Sequence, residues 1–150
     1  MKKKRLLLLY FIFSSTLADA AVSCSVSVQT LSFGTIDPLS SGNLTSIGAI
    51  NLNCTGGPTT YTIKLSQGNG SMVQRVMKSG PHSLNYNLYT SSSYANVLGD
   101  GSAGSLTING ATTDNTTDVS HSVYGKISNI GLSSTDPGVY TDQVSVTVFY

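Results

Sequence analysis

The sequence predicts an all-β fold, a sandwich of short strands, and three observations carry that prediction. Apolar and polar residues alternate in run after run, the period of a strand that buries one face. Nowhere do apolar residues recur at helical spacing for more than a turn. The composition agrees: Ser, Thr, Gly, Asn, Val and Tyr are plentiful and Glu is absent, so strand and turn formers outnumber helix formers.

The first stretch stands apart from this pattern. Lys2, Lys3, Lys4 and Arg5 make a positive start, residues 6–13 are an unbroken apolar run, and Ala18-Asp19-Ala20 offers small residues to a signal peptidase. Cleavage is expected before Ala21, giving a signal peptide over residues 1–20 and one domain over residues 21–150. An apolar run this short does not span roughly 30 Å of hydrocarbon, so no stable membrane insertion is expected. Export also changes the charge. Of the 8 Lys and Arg only Lys64, Arg75, Lys78 and Lys126 remain, against six Asp, so the full chain's +1 becomes −2. Without clustered cations the chain lacks the footprint of a nucleic-acid binder. About 130 residues are left, enough for one domain with one core.

Along that domain the strands follow in order. Residues 23–28 alternate with Cys24, Val26 and Val28 on one face. Leu31-Ser32-Phe33-Gly34 comes next, and then Asp37-Pro38 and Ser40-Ser41-Gly42-Asn43 break the run. A second strand over residues 47–54 turns Ile50, Leu52 and Cys54 one way. After Gly56-Gly57-Pro58, residues 61–65 point Tyr61, Ile63 and Leu65 inward, and Gln67-Gly68-Asn69-Gly70 is a turn. Further strands are expected at residues 73–77, 84–89, 105–108 and 122–127, with polar loops at residues 99–104 and 114–118. Residues 139–150 form the cleanest strand of all. Val144, Val146, Val148 and Tyr150 share one face of it; Ser145, Thr147 and Phe149 share the other.

Cys24 and Cys54 are an even pair in an exported chain, which reads as a disulfide. It closes a loop of about 31 residues, worth roughly 3.5 kcal/mol in the chain-entropy account. It also pins the first two strands antiparallel, because it joins the start of one to the end of the other.

Catalytic chemistry finds little support. Gly99-Asp100-Gly101-Ser102-Ala103-Gly104 spaces its glycines like a dinucleotide loop, but such a loop works only between a strand and a helix N-terminus, and a loop between strands is expected here. His82 and His121 lack an assembled nucleophile and acid and read as loop or strand-edge residues. Two His beside a bridged Cys pair make no zinc set. No cofactor, no metal and no enzyme activity are expected. Matches to the N-glycosylation acceptor at Asn43, Asn53, Asn69 and Asn115 are what a Ser/Thr/Asn-rich chain produces by chance.

Several patches, taken in order, resemble the spore coat protein U domain family, which includes subunits of Csu-type (archaic) chaperone–usher pili. They are Cys24, Leu31-Ser32-Phe33-Gly34 with Asp37-Pro38, Asn53-Cys54-Thr55, and Tyr61-Thr62-Ile63-Lys64-Leu65-Ser66. Arg75, Met77 and the distinctive Leu84-Asn85-Tyr86-Asn87-Leu88-Tyr89-Thr90 follow. Gly99-Asp100-Gly101, Val123-Tyr124-Gly125-Lys126-Ile127, Gly138-Val139-Tyr140-Thr141-Asp142 and a Val-Thr-Val ending at Tyr150 complete the set. Leu98 stands where family members often carry Trp, a local change of packing.

The resemblance implies an immunoglobulin-like sandwich lacking its last strand. A periplasmic chaperone first lends a strand to the groove, and a neighbouring subunit replaces it at the outer-membrane usher, by strand addition to an open edge. Val144, Val146, Val148 and Tyr150 are then expected to border that groove and to meet the partner strand, with chaperone cations on the terminal carboxylate. Cleavage before Ala21 leaves only Ala21, Val22 and Ser23 ahead of Cys24, roughly 10 Å of extended chain and under half a typical strand. A structural subunit of a pilus or coat that accepts a strand without giving one is therefore the expected function, exported through the periplasm to the cell surface. The alternatives are a self-sufficient coat protein, or a small adhesin whose Tyr86, Tyr89, Tyr94 and Asn96 meet a glycan or an abiotic surface.

Overall fold

A computed structural model describes residues 21–35, 42–113, 116–130 and 138–150. The expected signal peptide, the Asp37-Pro38 break, Ser40 and Ser41, and Asp114 and Asn115 lie outside the described residues.

Eight strands and no helix make up the described chain: β1 (Ser23–Gln29), β2 (Gly42–Thr55), β3 (Thr60–Leu65), β4 (Arg75–Ser79), β5 (His82–Tyr89), β6 (Ile108–Ala111), β7 (Thr116–Ile130) and β8 (Val146–Phe149). They form two sheets, a five-stranded one in the order β1-β2-β7-β5-β4 and a three-stranded one in the order β6-β3-β8. All named pairings are antiparallel. The alternating side chains of both sheets meet in one core, with Ile50, Leu52, Ile63, Leu98 and Ile127 at 0–1% exposure. Each such side chain contributes about 1.5–3 kcal/mol relative to an exposed one. The Cys24–Cys54 disulfide joins register partners on β1 and β2, and the antiparallel pairing is as expected.

The sheets are stitched where the chain between β5 and β6 crosses them. Leu98 N donates to Leu88 O of β5 at 2.9 Å, and Leu65 N of β3 donates to Gly99 O at 3.1 Å. Arg75 anchors the same region. It is 0% exposed, and its guanidinium donates to Ser66 O (2.8 Å), Asn87 Oδ1 (2.6 Å) and Leu98 O (2.9 Å). Burial pushes its pKa down from the ordinary range, while Tyr86, Asp142 and Asp100 pull it the other way. An arginine on the core face of a strand is tolerated because carbonyl and amide oxygens replace the water it loses.

Several expectations shift once long-range contacts are included. Residues 139–150 are not one strand. Thr141 makes an isolated bridge to Lys78 of β4, residues 142–145 are outside any strand, and only Val146–Phe149 pairs with β3. The chain leaves one sheet and joins the other there, which alternation alone does not reveal. The strand expected at residues 105–108 is found at Ile108–Ala111 instead. Ser105 is held in the preceding turn, its N–H and Oγ both donating to Ser102 O. The strand expected at residues 73–77 begins at Arg75, since Ser71 and Gln74 exchange main-chain bonds across a turn. Strands β2 and β7 run longer than expected, so Gly42 and Asn43 belong to a strand rather than a turn, and Asp118 to a strand rather than a loop.

His121 lies inside β7, opposite Ile50 of β2 and beyond the three residues, 124–126, at which β7 pairs with β5, so it is a strand-edge residue and not a loop one. Its Nε2 is 2.9 Å from Tyr61 Oη across the sandwich, and the rings meet edge-on at 5.7 Å. Tyr61 has room there because its register partner is Gly110, where a Cβ would collide with the phenol ring. Burial lowers the His121 pKa, so the fold prefers the neutral ring. A depressed histidine pKa means stability is full above the ordinary value near 6.5 and is lost as pH falls from there through the folded value. Tm is expected to drop on the order of 2 °C between pH 7.5 and 5.0, a small shift because the ring is only half-buried. The depressed Asp100 acts only at lower pH. Melting curves of His121→Gln, in which this pH dependence should disappear, check the assignment.

Candidate functional site

Five strands facing three leave part of one sheet uncovered, and β1 shows where. Val26 and Val28 pair with Leu52 and Ile50, so all four point to the core side. Leu52 and Ile50 are 1% exposed, yet Val26 is 42% and Val28 52% exposed. Inward-facing valines half in water mark a core lacking part of its lid. Along the other margin β8, among the described residues, pairs with β3 on one side only, and its second edge is open to them.

Between these margins lies a groove of about 810 Å³. Its floor is core side chain: Ile50 of β2, Val123 of β7, Tyr86 and Leu88 of β5 and Met77 of β4. One wall is the chain just after β1. A Cβ at Gly125 would stand 2.7 Å from Leu31 Cδ1 and 2.9 Å from Phe33 Cζ, and one at Gly48 would stand 3.3 Å from Leu31 Cβ. The two glycines thus create the space in which Leu31 and Phe33 lie across β2 and β7. Ser46 Oγ fixes this wall by donating to Ser32 O at 2.5 Å. Phe33 then reaches Tyr86, ring edge to ring face, at 6.1 Å between centroids.

The opposite wall is residues 138–142 with Val144 and Val146. Lys78 and Thr141 exchange main-chain bonds of 2.8 and 3.0 Å, and Ser66 N donates to Ser145 O at 3.0 Å. Asp142, in the middle of this wall, accepts from Tyr86 Oη, Asn69 N and Gln143 N. Chemically the groove is an apolar trough beside an unpaired strand edge. Such a trough suits an extended chain that gives main-chain bonds to the edge and alternate side chains to the floor.

The strand residues expected at a partner site are placed unevenly. Val144 and Val146 line the groove, Val148 packs on the core further along β8, and Tyr150 is 56% exposed at the end. Leu31, Phe33 and Asp142 escaped the sequence reading as site residues, and Tyr86 entered it only as a glycan contact. The alternation of Leu84, Tyr86 and Leu88 was a usable signal for the floor, and the small residues at 48 and 125 were a weaker one. Of the residues considered for glycan contact, Tyr86 is buried in β5 and unavailable. Tyr89 and Tyr94 stack edge-on at 5.4 Å, with Lys126 Nζ 5.3 Å from the Tyr94 ring. Among the described residues no group of three or more His, Cys, Asp or Glu is placed to hold a metal ion.

Comparison with known proteins agrees with this fold. The family model of the Spore Coat Protein U domain matches residues 11–147. A chain of the CsuC–CsuE chaperone–tip adhesion subunit pre-assembly complex, from the archaic chaperone–usher Csu pili of Acinetobacter baumannii, is similar at TM-score 0.56 and 21% identity. The alignment covers 87% of this chain but only 40% of that one, so this chain spans about two fifths of its neighbour's length. A chain from a chaperone–usher pilus structure concerned with rod uncoiling is similar at TM-score 0.52 and 15% identity, covering 100% of this chain and 99% of the other. No curated protein sequence matches.

Proposed function

This chain belongs to the Spore Coat Protein U domain family, and from that premise we propose that it is a structural subunit of a secreted surface assembly, completed by a strand from another chain. The observation that carries this reading is the groove beside the open edge of β8, floored by core residues and flanked by the half-exposed, inward-facing Val28. A strand laid there would cover Val28 and bond to β8, turning a sandwich of five strands on three into one of five on four. The same exposed edge is an aggregation hazard while it stays empty. A periplasmic chaperone therefore fills it first, an outer-membrane usher handles the exchange, and a neighbouring subunit fills it last. The fold shared with chains of chaperone–usher assemblies supports these partners, and the function is mechanical rather than catalytic.

The subunit accepts a strand and does not give one, on the expectation that export removes residues 1–20 and leaves Ala21, Val22 and Ser23 ahead of Cys24. N-terminal sequencing of the secreted chain tests that part. A mature start leaving about ten or more residues before Cys24 would supply a donor strand and overturn it.

Strand acceptance itself is tested by melting the oxidised, mature chain alone and with a ten-residue peptide of alternating Val and Thr, capped by Lys for solubility. Main-chain bonding makes the edge tolerant of sequence, so this probe suffices. At a hundredfold excess over Kd the peptide is expected to raise Tm by about 10 °C. A free chain that melts high and reversibly and ignores the peptide would instead be a closed, self-sufficient coat protein.

A further inference from the structure

The floor of the groove carries a hydroxyl that strand acceptance does not itself require. Tyr86 is 8% exposed, yet its Oη donates to Asp142 Oδ2 at 2.7 Å, and Asp142 belongs to a wall. The other carboxylate oxygen accepts from Asn69 N at 2.9 Å and Gln143 N at 2.8 Å, which ties that wall to the turn after β3. On its opposite side the Tyr86 ring meets Phe33, a residue of the other wall. One floor residue therefore touches both walls.

The wall containing Asp142 needs such a tie. Residues 142–145 lie outside any strand, in the stretch where the chain passes from one sheet to the other. A wall with sparse main-chain pairing beside an apolar trough is drawn inward, since closing over the trough buries the same surface that an incoming strand would bury. A hydrogen bond to a carboxylate in surroundings poor in water is among the stronger restraints available to a side chain. Burial and the Asp142 carboxylate hold the Tyr86 pKa far above its ordinary range, so the hydroxyl remains a donor.

We propose that Tyr86 is a positioning residue for strand acceptance: through Asp142 on one side and Phe33 on the other it keeps the empty groove at the width of a β-strand. This inference rests on the strand-accepting function proposed above. It separates two duties of one side chain. The ring packs the core, and the hydroxyl sets the groove.

Tyr86→Phe removes the hydroxyl and keeps the ring. Wild type, Tyr86→Phe and Ile63→Val are titrated, as oxidised mature chains, with the Val/Thr peptide, following affinity and association rate. Ile63→Val trims a fully buried β3 side chain that does not line the groove, and so lowers stability without touching it. Tyr86→Phe is expected to bind about tenfold more weakly, as loss of a charge-assisted hydrogen bond implies, and to associate more slowly. Ile63→Val should bind like wild type while melting lower. Unchanged binding by Tyr86→Phe would overturn the inference and leave strand acceptance standing. Equal weakening by Ile63→Val would trace the effect to general stability and overturn it too. If wild type itself takes up no peptide, strand acceptance fails and the inference with it.

Discussion

Arg75→Met is expected to lower the unfolding free energy by about 3 kcal/mol, the largest loss from any single side chain discussed above. The substitution leaves Ser66 O and Leu98 O without their side-chain donor and Asn87 Oδ1 with the Leu88 N–H alone, and each buried acceptor stripped of its partner costs about 1–3 kcal/mol. Part of that loss is returned, because the guanidinium no longer has to be desolvated. Arg75→Lys should recover little. One ammonium presents a point charge, whereas the present geometry uses a planar fork aimed at three oxygens on three different segments. Urea unfolding checks both variants, with the midpoint falling and the slope unchanged. A Met variant as stable as wild type would mean that Arg75 serves to select one arrangement of the segments around Ser66, Asn87 and Leu98 instead of stabilising it.

Arg75 also marks the boundary of what the sequence revealed. Period-two alternation is a local property, so the strand character of residues around Val26, Ile50, Ile63, Leu88 and Val146 was legible, as was the antiparallel pairing enforced by Cys24 and Cys54. Which sheet a strand joins is not local. Residues 144–148 alternate cleanly, yet the chain changes sheets between Thr141 and Val146, and Asp142, a polar residue on the face of Val144 and Val146, is only a weak hint of it. The groove was hidden for the same reason. Its walls come from residues some hundred positions apart in the sequence, brought together over Gly48 and Gly125, and neither glycine looks unlike any other in a chain with 15 of them. The partner-strand residues were legible only as a face. Alternation did not tell Val144 and Val146, which line the trough, from Tyr150, which is 56% exposed on the same face.

That face makes the second large effect specific. Val146→Asp is expected to weaken binding of the Val/Thr peptide at least a hundredfold, about 2.7 kcal/mol, while Thr147→Asp leaves it nearly unchanged. Val146 lies opposite Leu65 in the register, half-buried on the groove side, and Thr147 beside it is exposed on the other face. In the empty subunit a carboxylate at position 146 still reaches water through the mouth of the groove, so the free chain should lose only about 1–2 kcal/mol. Once a strand closes the groove the same carboxylate must surrender its water with no cation in the lining to meet it, and the penalty falls on the complex. Comparing the melting of the free chains with peptide affinity therefore separates damage to the fold from damage to acceptance. Equal affinities for the two aspartate variants would show that the incoming strand ignores the inward face of β8, and the groove would no longer account for assembly.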